Sequence, residues 1–357
     1  MSPLPRHTIA LTVLTLVVGL GQPLPALAGP TGQPAPSTQP AVPGPTGQPA
    51  TTGGVRTVVR AAATGAAVRA CLHLVPADRN PLTVVGLGEE QAGRHGACTG
   101  PNGGEVVATD VLPGRYHLLV RPYDSDRYGA QWVGPHGGTG QRERAVTVQV
   151  RTGRTVAAPQ VRLDPPGTVT GRLTRASDAT PVSGGYVKAL PSVPHPKDGD
   201  SGVISDDDGR YTLAGLGPYH WPLFFTGPGL ASQWSGGTAD RLLARTVRVR
   251  PGATVTADQT LVGGTLVQGT ITIAEMPYYS QVVAFHARTG DVVGVADAAG
   301  SYTLRLLPGQ RVLLRCDCAY TPSRWYPNAD GIGAASSLRV GPTPLTADFD
   351  LSGPAAP

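Results

Sequence analysis

The feature that most constrains the fold of this chain is a pattern of residues that occurs three times. Each copy has a glycine turn between two short runs of alternating apolar and polar residues, which is typical of a β-hairpin. The turn glycines are Gly104, Gly209 and Gly300. About 25 residues after each turn comes a pair made of Gln131 and Trp132, Gln233 and Trp234, or Arg324 and Trp325. The pattern therefore predicts one β-rich unit repeated in tandem.

Length and composition agree with an all-β chain of several domains. The 357 residues include 48 Gly and 36 Pro, which is high for a helical protein. The repeats divide the folded part into three regions, which are 55–164, 165–263 and 264–357. Each region is long enough for an independent core, and its short runs with turn signals between them predict a seven-stranded, Ig-like β-sandwich. In the middle region these runs include strands expected at 219–226 and 254–261.

The N-terminal segment predicts export. Basic Arg6 precedes the apolar run Ile9–Leu20, and the small residues at 26–28 follow it. This order is typical of a signal peptide at 1–28, cleaved before Gly29. The run is too short to cross a bilayer as a helix. We therefore expect a secreted, extracellular protein without a membrane span.

A linker follows the signal peptide. Residues 29–54 contain the sequence GPTGQPA twice in a background rich in Pro, Thr, Gln and Gly. Such a composition has no apolar periodicity from which to build a core, so we expect a disordered tether.

The residues of the repeat resemble a known family. The order G-x-V-x-G, D-x-x-G-x-Y-x-L, Q-W and a closing D-x-x-L is similar to carboxypeptidase regulatory-like domains. It is also similar to collagen-adhesin B-type repeats of secreted actinobacterial proteins, which have a prealbumin-like sandwich fold. The second copy carries it on Gly167, Val169, Gly171, Asp206, Gly209, Tyr211, Leu213, Gln233, Trp234, Asp258 and Leu261. The first copy departs from the pattern, with Val106 in place of the tyrosine. The resemblance implies the fold and a non-catalytic appendage.

Collagen-adhesin B-type repeats often contain a Lys–Asn isopeptide bond, and this chain lacks the residues for one. The first and third copies have no lysine, and the second has Lys188 with only an aspartate such as Asp258 as an acceptor. We therefore expect no isopeptide bond.

Enzyme signatures are missing from the sequence. Neither HExxH nor GxSxG occurs, so neither a zinc peptidase nor a serine hydrolase of those types is indicated. Two carboxylates of a glycosidase would need a larger scaffold than three small sandwiches provide. We expect a protein that is not an enzyme and needs no cofactor, with only a glycosidase-associated accessory role as a residual possibility.

The charges predict neither a nucleic-acid partner nor a metal site. Arginines are scattered singly along the predicted strands rather than clustered with stacking aromatics, as nucleic-acid binding requires. The acidic run at 205–209, SDDDG, fits a hairpin turn better than a calcium loop, because Asp and Gly favour turns and the EF-hand spacing is absent.

The four cysteines predict disulfides in an exported protein. Cys71 lies in a predicted apolar strand and Cys98 in the predicted strand that leads to the Gly104 turn; both fall within the first copy, so we expect them to pair. Cys316 and Cys318 are two apart in one strand and are close enough for a local ring. The alternative is a metal site formed by these two thiols with His286.

Aromatic residues are the candidates for ligand binding. Trp132, Trp234 and Trp325 recur in register, with Tyr128 and Tyr326 nearby in sequence. Two alternatives remain. Exposed rings would stack on sugars, whereas structural rings would be buried. The first alternative predicts a carbohydrate-binding protein, for example for a starch-like polysaccharide. The second predicts a monomeric scaffold or adhesion module with an unknown extracellular partner.

Overall fold

The computed structural model describes residues 52–77, 96–191, 202–273, 280–318 and 322–353. The predicted signal peptide and almost all of the predicted linker lie outside the described residues. The described part is nearly all β-structure, and its only helical elements are 3₁₀ turns of three residues at Arg142–Arg144, Arg241–Leu243 and Ile332–Ala334. The fold class is the predicted all-β class.

The strands form three consecutive sets, which we call the first, second and third unit. The first unit contains β1 (Gly53–Ala61), β2 (Ala70–Pro76), β3 (Gly96–Cys98), β4 (Glu105–Val111), β5 (Gly114–Pro122), β6 (Gln131–Gly134), β7 (Gly137–Thr139), β8 (Thr147–Val150), β9 (Thr155–Ala157) and β10 (Val161–Leu163). The second contains β11 (Gly167–Arg175), β12 (Tyr186–Lys188), β13 (Gly202–Ile204), β14 (Arg210–Leu216), β15 (His220–Trp221), β16 (Phe224–Thr226), β17 (Gln233–Trp234), β18 (Val247–Arg248), β19 (Thr254–Thr256) and β20 (Gln259–Leu261). The third contains β21 (Thr265–Thr272), β22 (Ser280–His286), β23 (Val292–Ala298), β24 (Ser301–Leu306), β25 (Arg311–Cys318), β26 (Arg324–Trp325), β27 (Leu338–Arg339), β28 (Leu345–Thr346) and β29 (Phe349–Asp350).

All three units share one topology in their smaller sheet. Its central strand is β1, β11 or β21, which pairs antiparallel with β4, β14 or β24. On its other side the central strand pairs in parallel with the two short strands that close the unit. A larger set of antiparallel strands lies opposite, around β2 and β5, β12 and β16, or β22 and β25.

Alternating side chains build the core between the sheets. In β24 every second residue is buried, and these residues are Tyr302, Leu304 and Leu306. Period-two alternation of this kind places one face of a strand against a core and the other in water. The first unit has its own core cluster, which includes Val55, Leu72 and Leu118, and the third has another, which includes Val267, Leu304 and Phe349.

The repeated tyrosine anchors the closing segment of its unit. Tyr211 Oη donates a hydrogen bond to the Ala257 carbonyl at 2.5 Å, and Tyr302 Oη donates to the Ala347 carbonyl at 2.6 Å. The central strand has glycine opposite each tyrosine, at Gly171 and Gly269. Any Cβ there would lie within 2.3 Å of the Ala257 carbonyl oxygen or 2.1 Å of the Ala347 carbonyl oxygen.

The first unit makes the same contact with different residues. Thr57 takes the place of the glycine and is paired with Val106, which takes the place of the tyrosine. Thr57 Oγ1 donates to the Pro159 carbonyl at 2.6 Å. The departure from the repeat pattern at Val106 is therefore compensated on the neighbouring strand.

The predicted strands overlap the observed ones, with differences at their ends. In the second unit the predicted strand at 219–226 is split into β15 and β16, because Pro222 has no N–H for a ladder. The predicted strand at 254–261 is split at Asp258, whose carboxylate accepts the Arg172 N–H at 2.8 Å. The short strands that carry the tryptophans, β6, β17 and β26, were not predicted as strands.

The predicted Cys71–Cys98 disulfide is confirmed. The two residues lie directly opposite each other in the antiparallel pair of β2 and β3. Cys316 is buried and its sulfur is in a disulfide. The side chain of Cys318 lies outside the described residues, so its pairing with Cys316 stays a prediction.

We expect the Tyr302→Phe variant to lower the free energy of unfolding by about 1 kcal/mol, the usual net value of one hydrogen bond. The matched control is Tyr326→Phe, because Tyr326 packs against the same core through its ring, which meets Phe349 edge to face. Urea unfolding of both variants measures the difference. Equal effects of the two substitutions would contradict the assigned role of the Tyr302 hydroxyl.

Candidate functional site: the junctions between the units

The three tryptophans lie on short edge strands of the larger sheets. Trp132 is paired with Leu119, Trp234 with Phe224 and Trp325 with Arg315. Their relative exposures are 3%, 8% and 6%. Of the two alternatives for these rings, the observed burial agrees with the structural one, because every ring is covered by neighbouring side chains. What covers them differs from unit to unit.

The ring of Trp132 belongs to the junction between the first and second units. Together with Val75, Leu119 and Ala130 it is part of one apolar cluster with the core of the second unit, including Trp221. Burial of apolar surface contributes about 25 cal/mol per Å², so this shared cluster joins the two units energetically. The core of the first unit, with Val55, Leu72 and Leu118, remains a separate cluster on the other side of the sheet.

Backbone contacts at the same junction are very close. Ala130 N donates to the Gly215 carbonyl at 2.8 Å, and Gly217 N donates to the Ala130 carbonyl at 2.9 Å. A Cβ on Gly129 would lie 2.4 Å from Gly217 Cα, and one on Gly140 would lie 2.5 Å from the His220 carbonyl oxygen. These glycines are needed for the approach of the two backbones.

A side-chain hydrogen bond also crosses this junction. Tyr219 Oη of the second unit donates to Gln131 Oε1 of the first at 2.8 Å. Burial, with a smaller contribution from Asp164, raises the pKa of the Tyr219 phenol well above its usual range, so the hydroxyl stays a donor. The glutamine before Trp132 thus has a role in joining units.

The second and third units meet at a corresponding place. Within the second unit Ala231 N donates to the Val262 carbonyl at 3.0 Å, just as Gly129 N donates to the Asp164 carbonyl at 2.9 Å within the first unit. Ala231, Ala239 and Val262 of the second unit form a small apolar cluster with Leu307 of the third. The centres of the Trp234 and Phe224 rings are 4.9 Å apart, and the Arg241 guanidinium lies over the Trp234 ring.

The third unit departs from this arrangement at its own tryptophan. Pro322 stands where the other units have Gly129 and Ala231, so it has no N–H to donate. Trp325 is covered from within its own unit by Phe285, at 5.4 Å between ring centres, and by the Arg315 guanidinium.

An ion cluster connects all three units. Arg241 of the second unit pairs with Glu143 of the first and, at 3.1 Å, with Asp291 of the third. Asp240 of the second unit pairs with Arg288 of the third. The side chains of Arg241 and Asp240 are each only 11% exposed. Charges taken out of water at such cost must be paired, so this cluster fixes which surfaces of the three units meet.

A histidine lies next to these charges. His286 is 8% exposed, and its Nε2 is 4.0 Å from Asp240 Oδ2. Its Nδ1 lies 3.1 Å from Thr289 Oγ1. Burial lowers the pKa of His286, and the carboxylates of Asp240 and Asp291 oppose this shift only in part.

Arg142 of the first unit completes the charged region. It donates to the Pro76 carbonyl at 2.5 Å. Burial and the neighbouring Arg241 guanidinium lower the pKa of Arg142 to about 10. It therefore remains charged at neutral pH and adds a cation that the nearby Asp291 helps to balance.

The predicted tyrosine partners lie away from the tryptophan rings. Tyr128 is half-buried against the core of the first unit, whereas Trp132 belongs to the junction cluster. Tyr326 is half-buried against the core of the third unit, where its ring and the Phe349 ring meet edge to face with their centres 5.6 Å apart. Tyr128 and Trp132 thus belong to different apolar clusters, and so do Tyr326 and Trp325. Neither tyrosine lies beside the tryptophan that is near it in the sequence.

The other candidates for chemistry have structural roles. Asp206 Oδ1 accepts the N–H groups of Asp208 and Arg210 at 3.0 and 2.7 Å, which is a turn contact. The Lys188 ammonium lies over the rings of Tyr186 and Phe224. The predicted metal alternative fails at Cys316, whose sulfur is in a disulfide. Among the described residues, no group of three or more His, Cys, Asp or Glu side chains is placed to hold a metal ion.

Sequence reasoning missed the ion cluster. Its members come from three repeats and are 50 and 98 residues apart for the pairs of Arg241 with Asp291 and Glu143. No local spacing marks such contacts. One sequence signal could have pointed to the junctions. Apolar and polar residues do not alternate regularly in β2 and β22, and these strands are buried at nearly every position.

Comparisons with known proteins give remote likenesses only. No protein-family model matches the sequence, and no curated protein matches it. The Bacillus anthracis TIE protein has 9% identity and a TM-score of 0.22, covering 85% of this chain and 50% of its own. A streptococcal ancillary pilin has 10% identity and a TM-score of 0.21, covering 83% of this chain and 99% of its own. A minor pilin of Streptococcus agalactiae has 12% identity and a TM-score of 0.25, covering 59% of this chain and 96% of its own.

This chain therefore spans about half the length of the first of these structures. Likenesses this remote assign neither a family nor a function to it. Within the described ranges, the structure has no helix with the length and hydrophobicity needed to cross a membrane.

We expect the Arg241→Ala variant to lower the free energy of unfolding by about 2 kcal/mol, because it leaves the half-buried carboxylate of Asp291 and the more exposed one of Glu143 without their cation. Arg248→Ala is the matched control, since Arg248 is exposed on the same unit. Chemical denaturation of both variants tests this. A loss no larger than that of the control would mean that Arg241 does not hold the junction.

Stability should depend on pH through His286. Its pKa in the folded state lies below the ordinary value of 6.5, so the unfolded chain binds a proton more readily. The free energy of unfolding should then fall as pH drops below about 6.5, by at most about 1.4 kcal/mol per pH unit for one group.

The His286→Gln variant should reduce this pH dependence, while His220→Gln, at an exposed position, should not. We expect the pH dependence that remains in His286→Gln to come from His117, whose pKa is also lowered by burial. Thermal unfolding at several pH values between 5 and 8 measures the slopes. Identical slopes for the wild type and His286→Gln would contradict the assignment.

Proposed function

We propose that this chain is a secreted, non-catalytic scaffold or adhesion module whose three β-sandwich units are held as one rigid body. The observation that carries the proposal is the junction itself. A shared apolar cluster joins the first two units, and the ion cluster around Arg241 joins all three.

The chemistry of the described residues supports a structural role. The most buried carboxylates and the histidine beside them, Asp240, Asp291 and His286, are used in contacts between units. The Cys71–Cys98 disulfide fits an oxidising, extracellular compartment. The sequence of 1–28 fits export. The junctions, rather than the remote structural likenesses, are the basis of the proposal.

A rigid array is useful outside a cell because it holds surfaces at fixed distances. Units joined only by flexible linkers would lose that spacing through conformational entropy. Carbohydrate binding through the faces of the tryptophan rings is not proposed, because all three rings are buried.

Small-angle X-ray scattering of the Gly129→Val variant tests the proposal. The new side chain cannot fit against Gly217, so we expect the first junction to open and the radius of gyration to rise. Gly100→Val is the matched control, because Gly100 lies in the same unit and a Cβ there meets nothing within 4 Å.

Two results would overturn the proposal. One is a wild-type scattering profile that requires independently moving units, with no change in Gly129→Val. The other is turnover of a polysaccharide or peptide substrate by the purified wild-type protein. A compact profile for the wild type and the control, lost only in Gly129→Val, supports it.

A further inference from the structure

An aspartate side chain fills the same position in the second and third units. Asp258 Oδ1 accepts the Arg172 N–H at 2.8 Å. Asp348 Oδ1 accepts the Thr270 N–H at 2.7 Å and the Thr270 hydroxyl at 2.9 Å. In both units this carboxylate lies where the closing segment passes from one short parallel strand to the next.

The first unit lacks this carboxylate. Its central strand pairs Val59 with Val161 as the second unit pairs Leu173 with Gln259. Counted back from this pair, Gln160 stands at the position of Asp258, and the first unit has one extra residue between its two closing strands. Val58 then corresponds to Arg172. No side chain among the described residues accepts the Val58 N–H.

An open cavity of about 340 Å³ lies at this position. Its lining comes from the central strand, from β4 and from the closing segment. The lining residues are Arg56, Thr57, Val58, Arg60, Glu105, Ala157, Ala158 and Gln160. Since Thr57 Oγ1 is already bonded to the Pro159 carbonyl, the groups that remain for a ligand are the Val58 N–H, the Gln160 amide and the two guanidinium groups.

The two arginines at positions 56 and 60 have no counterpart in the units that carry the carboxylate. Arg56 and Arg60 are replaced by Thr170 and Thr174 in the second unit and by Gln268 and Thr272 in the third. Both arginines are exposed. Arg60 donates from one terminal nitrogen to the Gly65 carbonyl at 2.9 Å, which leaves its other donors available.

The charge balance of the cavity favours an anion. Glu105 is exposed and also lines the cavity, so two guanidinium groups face one carboxylate. Arginine binds carboxylates in a bidentate manner, and a backbone N–H adds a directed donor.

We propose that this cavity binds the carboxylate of an aspartate or glutamate side chain from a partner polypeptide. The incoming carboxylate takes the place that Asp258 and Asp348 fill in the other units, where the occupant is itself a side chain on an extended segment. The site does not use the junctions, so its test is independent of whether the three units move as one body.

The test uses ¹⁵N-labelled full-length mature protein and two blocked tripeptides, acetyl-Gly-Asp-Gly-amide and acetyl-Gly-Asn-Gly-amide. We expect the Asp peptide to shift the Val58 amide resonance with a Kd on the order of 1 mM, as suits a single exposed ion-pair site. The Asn peptide should shift it at least about 10-fold more weakly, because charge-assisted hydrogen bonds are the stronger ones.

Two variants locate the site. Gln160→Asp should supply the carboxylate from within the chain and abolish binding of the Asp peptide, whereas Gln160→Asn should keep it. The double variant Arg56→Gln, Arg60→Gln should weaken binding about 10-fold through loss of the charge-assisted hydrogen bonds. All these positions are exposed, so the variants should fold, and unchanged resonances from the second unit verify this.

Several outcomes would overturn the proposal. These are equal shifts from the Asp and Asn peptides, undiminished binding to Gln160→Asp, or no shift of Val58 at all. Galacturonate or inorganic phosphate is tested in parallel. Binding of either one at least as tight as that of the Asp peptide would assign the site to a sugar acid or an inorganic anion instead.

Discussion

Apolar residues on both faces of the larger sheets are the constraint on which the rest of this structure depends. In β22, Val282 and Ala284 face the core of the third unit, whereas Val283 and Phe285 face a second apolar cluster on the other side. In β5, Leu118 lies in the unit core and Leu119 in the junction cluster. An ordinary two-layer sandwich leaves its outer faces in water. Here each outer face must be covered, and the cover at the first junction is the next unit.

The polar contacts at the junctions determine how the units are oriented, whereas the apolar contacts hold them together. Apolar burial is not directional, so it alone would permit many relative orientations of the units. Arg241 has one carboxylate partner in the first unit and another in the third, and displacing either unit would leave a desolvated charge unpaired. The glycines at 129 and 140 restrict the orientation by shape, because a side chain at either position would collide with the backbone of the second unit.

Much of each unit could be predicted from the sequence, because strand alternation, turn glycines and the Cys71–Cys98 spacing are local signals. The tryptophans show what could not be predicted from the sequence. Their recurrence in register was visible, but whether a ring is exposed depends on what lies above it, and for Trp132 that is Trp221 and its neighbours from the next unit. The substitution of Thr57 and Val106 for the glycine and tyrosine of the other units is likewise meaningful only once their cross-strand pairing is known.

Pro322 has a consequence for how firmly the third unit closes. In the other two units the corresponding residue supplies an N–H to the carbonyl that follows the closing strand of its own unit, and proline has none. The closing segment of the third unit therefore depends more heavily on the contacts made by Tyr302 and Asp348. Two copies of the repeat that look alike in sequence thus differ in how well they tolerate the same mutation.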